Sequence, residues 1–425
     1  MSFEYDRPEG MIGAVLAAEG IKDAMTIING PTGCKYYPAS SSEASYTDRG
    51  LGNQRYNAFK FFKEFFFSQP RVPCTYMDGN DYIMGTGDKL DRAYEAVMKG
   101  RPSIVALINS PGASLIGETL KLKEERGLVV RLEAPSPSVP MGTGFQDSVI
   151  KFLETVPPKK CSKKKGVVNF IGMSIGHLGW ADSINDLKGL LEMCDIRVNT
   201  TISAGCSVAD IRDSGYAELN VMLHRDFGDR VAKWYESNRG IPCVGSSMGA
   251  PIGFDALEDW LLAICKKLNA DPSNALNYIK TKRERAAGVI SKLFADRNSV
   301  RGCTYSVIAR GSTAYPVMRF LYEYLGMVPV AVDTGMDRSF SDEISSFIKC
   351  IGTDVSDDPF NTPADVMIAD GNNISSAIRR NLVTGGYDVE CRGMSGVNVL
   401  ERPVLGLGGT MRLIDGVLTV LEKAI

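Results

Sequence analysis

The sequence predicts an α/β protein with parallel sheets, built as three Rossmann-like units. Apolar runs of five to eight residues alternate with Gly/Ser/Pro turns and amphipathic stretches. Most of these runs are continuous rather than alternating, as strands covered on both faces require. The chain has 425 residues, enough for two or three domains. Its 43 glycines supply many tight strand-to-helix turns.

In chain order, strands are predicted at 24–29, 103–109, 128–134, 166–173, 197–203, 218–224, 305–311, 328–334, 365–371 and 387–393. Helical patterns lie between them. Over 183–194, Ile184, Leu187, Leu190 and Leu191 share one face. The helix at 314–327 has Gly326 as its C-terminal stop. The basic stretch "PPKKCSKKK" (157–165) reads as a solvated linker, and "FADRNSVRGC" (294–303) as a second divider. The predicted domains are therefore 1–160, 166–296 and 301–425.

Composition narrows the function. A net charge of −2 gives no nucleic-acid footprint. The N-terminus has no basic region followed by an apolar run. No apolar run approaches the ~18 residues of a membrane span. The expectation is a soluble, cytoplasmic protein. Ten scattered cysteines without a CxxC do not read as a disulfide framework. With only His177 and His224, a histidine-built zinc site is poorly supported.

Chemistry in open α/β sheets gathers just after strands. Cys34, in "INGPTGCKYYP", is read from its surroundings as a buried thiol, a nucleophile activated by Lys35, or a metal ligand. Cys74 lies in a second Pro-flanked turn, ahead of the Gly-rich "DYIMGTGDKLDRA" (81–93). That turn matches neither the P-loop nor GxGxxG. Ser110 lies in a strand–turn–helix segment without the Gly-x-Ser-x-Gly of a nucleophile elbow. The aromatic run at 56–67 reads as core or subunit interface.

The order "PEGMIGAVLAAEGIKDAMTIINGPTGCKYY", Cys74 before "DYIMGTGDKL", then "NSPGASLIGETL" resembles the nitrogenase component 1 superfamily. The resemblance continues through 166–198, 218–261 and 314–335. Relatives include the molybdenum–iron protein subunits, the scaffold that matures their cofactor, and protochlorophyllide and nickel-sirohydrochlorin reductases. The resemblance implies the component 1 fold. It also implies a separate ATP-hydrolysing iron–sulfur reductase as electron donor, docking over the dimer axis, and an interface iron–sulfur cluster. Cys34 and Cys74 match two of the family's three cluster cysteines. The third falls at the Ser110-Pro111 turn, where there is no cysteine. A 4Fe–4S cluster takes four ligands, so a homodimer, or a heterodimer or heterotetramer with a related subunit, would supply two plus two, with Ser110 as an added oxygen candidate.

The family's cofactor-anchoring cysteine falls on His224, read as a metal ligand, a proton donor or a structural histidine. His177 and Cys243 are further candidates in the same cleft. Met141, Gly142, Thr143 and Gly144 stand where relatives present a histidine used on dinitrogen. The segment 391–411 lacks the histidine that holds the molybdenum end of the cofactor. The expected function is the catalytic component of a nitrogenase-like reductase that does not reduce dinitrogen. Electrons would pass through the interface cluster to a substrate or second metallocofactor in the interdomain cleft. A tetrapyrrole reductase component and a non-catalytic cofactor scaffold are the alternatives.

Overall fold

The computed structural model describes residues 10–35, 72–133, 139–297, 300–336, 338–390 and 400–424. Among these the named strands form three sheets, parallel throughout. In the first, β1 (Ala24–Asn29), β2 (Ile104–Asn109) and β3 (Leu128–Glu133) lie in that order. Its helices are α1 (Gly10–Glu19), α2 (Asp81–Met84), α3 (Gly87–Met98), α4 (Pro111–Leu115) and α5 (Met141–Thr155). Every residue of β1 and β2 is buried, which is why both read as unbroken apolar runs.

The second sheet has the order β5-β4-β6-β7. It is made of β4 (Lys164–Ile171), β5 (Arg197–Thr201), β6 (Ala217–Met222) and the two-residue β7 (Cys243–Val244). Its helices are α6 (Trp180–Glu192), α7 (Val208–Asp213), α8 (Arg225–Arg239) and α9 (Phe254–Leu268), followed by α10 (Ser273–Arg297). The third sheet has the order β11-β10-β8-β9. Its strands are β8 (Thr304–Ile308), β9 (Val328–Asp333), β10 (Val366–Ala369) and β11 (Gly385–Asp388). Around it lie α11 (Gly311–Leu325), α12 (Ser341–Ile351), α13 (Gly371–Arg379) and α14 (Gly406–Ala424). One apolar core runs through all three sheets, with Phe145, Trp260 and Tyr305 fully buried.

Most expected elements form where the pattern puts them. The α6 face of Ile184, Leu187, Leu190 and Leu191 is buried. Gly326 ends α11 at φ 64°, in the left-handed region. Two dividers are shorter than expected. β4 begins at Lys164, inside the basic run, where the Lys164 ammonium lies over the Tyr216 ring. α10 continues to Arg297, because Phe294 still packs on the core. β7 has no counterpart among the expected strands, since two residues carry no periodic signal. The aromatic run 56–67 and residues 391–399 lie outside the described residues.

The segment 141–144 has a packing role. Ideal β-carbons on Gly13 and Gly144 would lie 2.0 Å from the carbonyl oxygens of Met141 and Gly10 respectively. These glycines therefore let α1 and α5 cross in backbone contact. We expect Gly144→Ala to cost about 1–3 kcal/mol through overpacking. The check is a fall in the urea midpoint at unchanged slope.

Candidate functional site

The first candidate site is at the carboxyl end of the first sheet. β1 ends at Asn29, the chain turns through Gly30 and Pro31, and residues 32–35 form a helical turn carrying Cys34. Cys74 comes alongside through a parallel bridge to Ile28. Pro73 O accepts from Ile28 N at 2.9 Å, and Thr75 N donates to Ile28 O at 3.0 Å. The Cys74 thiol donates to Gly30 O at 3.0 Å. Gly30 is the hub. An ideal β-carbon there would lie 2.4 Å from Ser110 Oγ and 3.7 Å from Cys34 Cβ. The fold thus gathers Cys34, Cys74 and Ser110 around one glycine.

The three are not equivalent. Cys34 is half-buried and Cys74 is buried. Desolvation pushes the Cys74 thiol up to about 11, opposed chiefly by the Tyr76 N–H and the Lys35 charge. Ser110 is the N-cap of α4, its Oγ accepting from Ala113 N at 3.2 Å. A metal at Ser110 would compete with that cap. Among the described residues no group of three or more His, Cys, Asp or Glu side chains forms a metal site. Two thiols side by side fit half of a four-ligand cluster and not the whole of one.

Below the site runs a buried polar chain. Gly30 N donates to Thr75 Oγ1 (3.0 Å), Thr75 Oγ1 to Asn29 Oδ1 (2.8 Å), and Asn29 Nδ2 to Asn109 Oδ1 (2.9 Å). Asn109 Nδ2 in turn reaches Glu118 O at 2.8 Å and the Glu133 carboxylate at 3.2 Å. Such a satisfied network fixes the strand ends that carry the cysteines. Sequence reasoning missed it. The available signal was an asparagine closing two otherwise apolar strands, "AMTIIN" and "SIVALIN", which pair in register as Asn29↔Asn109.

Apolar side chains stand exposed on α2 and at the end of α4. Ile83 is 83% exposed, Met84 84% and Leu115 88%, with Tyr82 and Ile116 beside them. The two helices touch, since a β-carbon on Gly112 would lie 3.4 Å from Tyr82 Oη.

The second candidate site brings His177 and His224 together. They follow β4 and β6, neighbours in the second sheet. Their rings stack at 4.2 Å between centroids and 10° between planes. Phe227 meets His177 edge-on at 4.6 Å. Arg310, just after β8, lies over Phe227 at 5.3 Å and is ion-paired with Glu390, which follows β11. The site therefore joins the second and third sheets at their carboxyl ends, where α/β folds bind ligands.

Burial, with the Arg310 charge, lowers His224 to about 3; burial, His224 and then Arg310 push His177 well below its usual range. Both are neutral at pH 7. His177 Nδ1 lies 3.0 Å from Ser174 N and 3.2 Å from Ser174 O, so the Ser174 backbone holds this edge of the ring. A metal bound to an imidazole lies in the plane of its ring. Near-parallel planes about 4 Å apart share no such position, so this pair does not chelate a single ion.

His224 binds its proton less tightly when folded than when unfolded. Its contribution to stability is present above pH ~6.5 and lost as pH falls toward about 3. We expect His224→Phe, which keeps a ring to stack, to flatten the acid slope of unfolding free energy between pH 6.5 and 5. The change is about 1.4 kcal/mol per pH unit for one proton, read from urea titrations.

Cys243 lies on the strand beside the one that leads to His224. It lines a groove with Leu223 and Arg225, the two neighbours of His224, and with Asp229, Lys233 and Phe340. Burial, reinforced by Asp229 and Glu236, pushes its thiol up to about 12. Asp388, at the end of β11, does not stand out in the sequence. Burial raises its carboxyl to about 7, and its Oδ1 has no hydrogen-bond partner among the described residues.

Comparison with known proteins agrees with this architecture. A family profile described as nitrogenase component 1 type oxidoreductase matches residues 10–422. The chain is similar to a subunit of the light-independent protochlorophyllide reductase of Synechococcus sp., 24% identical over 62% of this chain and 51% of that one. It is equally similar to the corresponding subunit from Chloroflexus aggregans, at 24% over 82% of this chain and 67% of that one. The chain thus spans about half the length of the first of these relatives. Among solved structures, nitrogenase Cp1 at pH 6.5 superposes with a TM-score of 0.74 at 19% identity, covering 98% of this chain and 92% of that one. Among the described residues, no helix is long and apolar enough to cross a membrane.

Proposed function

The chain belongs to the nitrogenase component 1 type oxidoreductase family, and from that premise we propose that it is the substrate-reducing component of a two-component reductase. The observation that carries this reading is the convergence of Cys34 and Cys74 on Gly30 at the end of the first sheet. Two such chains offer four thiolates, the ligand count of a 4Fe–4S cluster. Bound there, the cluster supplies one-electron transfer. The protein's part is to deliver both sulfurs on fixed strand ends, with the Thr75–Asn29–Asn109 chain holding them. Ser110 serves as a cap beside the thiols.

The exposed patch of Ile83, Met84 and Leu115 is the docking surface for the electron donor. It borders the thiol site. A handful of side chains suits a small, transient electron-transfer contact better than a permanent dimer face. The donor is an ATP-hydrolysing iron–sulfur protein, as membership of the family implies, and this sequence carries no Walker A motif of its own.

Reduction takes place between the second and third sheets. His177, its Nδ1 edge held by the Ser174 backbone, offers its ring to the substrate as a hydrogen-bonding or proton-exchanging group, and the stacked His224 holds that ring in place. Phe227 and the Arg310–Glu390 pair limit water there. Asp388, close enough to Glu390 to feel its charge, is a carboxyl protonatable near neutral pH. The histidine pair gives no chelate for a second metallocofactor, and the lack of a histidine at 141–144 argues against dinitrogen as the substrate. A tetrapyrrole is favoured as substrate by the protochlorophyllide reductase relatives and by the absence of an anchoring thiol at His224.

The test is anaerobic purification followed by turnover with the ATPase partner. Brown protein with iron near two per chain, reducing substrate only with partner and ATP, is expected. Iron binding without ATP-dependent turnover would make the protein a scaffold instead.

A further inference from the structure

Lys35 follows Cys34 directly, yet it is only 1% exposed. A buried ammonium is costly and needs a reason. Lys35 Nζ donates to Tyr76 Oη at 2.8 Å and lies 5.1 Å from the centre of the Tyr76 ring. Tyr76 is unusual in turn. Its φ is 52°, the left-handed region that a bulky side chain avoids. In that conformation its backbone N–H reaches Cys74 Sγ at 3.4 Å. A residue beside one cysteine thus grips the residue whose amide binds the other.

A packing role alone does not call for this arrangement. An apolar side chain would fill the space without burying a charge, and a glycine would adopt the Tyr76 backbone without strain. What lysine and tyrosine add together is a cation and an aimed N–H next to two sulfurs. Both act on a metal–thiolate group in one direction. Reduction adds one negative charge, which a nearby cation and hydrogen bonds to sulfur favour.

We propose that Lys35 and Tyr76 are positioning residues that raise the reduction potential of the iron–sulfur group held by Cys34 and Cys74. The inference rests on the cluster assignment above. The couple is a one-electron reduction, with the electron supplied by the partner reductase or by dithionite. Lys35 and Tyr76 neither gain nor lose a proton or a bond.

The experiment is a dye-mediated potentiometric titration of the full-length, cluster-loaded protein, followed by electron paramagnetic resonance. Lys35→Met keeps an unbranched apolar stem, one atom shorter, and removes the charge. Its midpoint is expected to fall by about 59 mV, a tenfold change in the oxidised-to-reduced ratio at fixed potential. Lys35→Arg keeps the charge and is expected to stay near wild type. Tyr76→Phe keeps the amide, loses the grip on Lys35, and shifts the same way by less. It reads the same quantity if Lys35→Met fails to fold or to load. Unchanged midpoints in loaded Lys35→Met, or in loaded Tyr76→Phe where Lys35→Met cannot be read, overturn the inference. Iron-free wild type, or full iron in Cys34→Ala, overturns the cluster assignment instead, and iron analysis tells the two failures apart.

Discussion

Cys34→Ala is expected to strip the protein of its iron while leaving it folded. Two-fold symmetry makes this the largest single effect available. Each substitution acts twice, so a site of four thiolates falls to two. Iron should drop from about two per chain to near zero, with loss of the brown colour. The cost to the fold is small, about 1 kcal/mol or less, because Cys34 is only half-buried. Cys74→Ala is a poorer probe. It removes a buried side chain packed in the main core as well as a ligand. Loading must also remove the proton that burial holds on Cys74, so iron uptake should rise with pH. Iron analysis with a thermal melt decides the matter. Full iron in a folded Cys34→Ala protein would leave Cys34 a structural thiol.

The sheets were legible in the sequence through strands such as β1, β2 and β10, which are buried throughout. That burial writes itself as unbroken apolar runs, and β1 spans the predicted 24–29. Short elements such as β7 leave no such trace. The site was legible only as positions. Cys34 and Ser110 stood out because each follows a strand, and Cys74 because it lies in a Pro-flanked turn. Their meeting at Gly30 is a product of parallel pairing, which brings residues 40 to 80 apart in sequence onto one edge. His177 and His224 were separate candidates for the same reason. Their stacking, and with it the loss of a chelating geometry, is set by the loop Ser174–Leu178 folding back over the end of β6. Lys35 and Tyr76 were illegible as a pair. The left-handed backbone of Tyr76 contradicts what a tyrosine's local preferences suggest. Asn29 and Asn109 were hidden by the apolar runs they end. Tertiary pairing, rather than propensity, decides each of these.

The exposed patch gives the second large effect. Met84→Asp combined with Leu115→Asp places two charges on a surface that offers apolar contact at 84% and 88% exposure. Neither side chain is buried in the folded chain, so stability should change by no more than about 0.5 kcal/mol per site. Docking should suffer far more. Truncating a central apolar contact costs about 2 kcal/mol or more, roughly 30-fold in affinity, and a desolvated carboxylate adds to that. The electron-transfer rate from the partner reductase at limiting partner concentration should fall by at least that factor. Iron content, dimer mass in solution and direct reduction by dithionite should all be preserved. That combination separates a docking face from the dimer interface, because loss of the dimer would take the shared cluster with it. Should the double variant dissociate into iron-free monomers, the patch belongs to the second chain and the electron donor docks elsewhere.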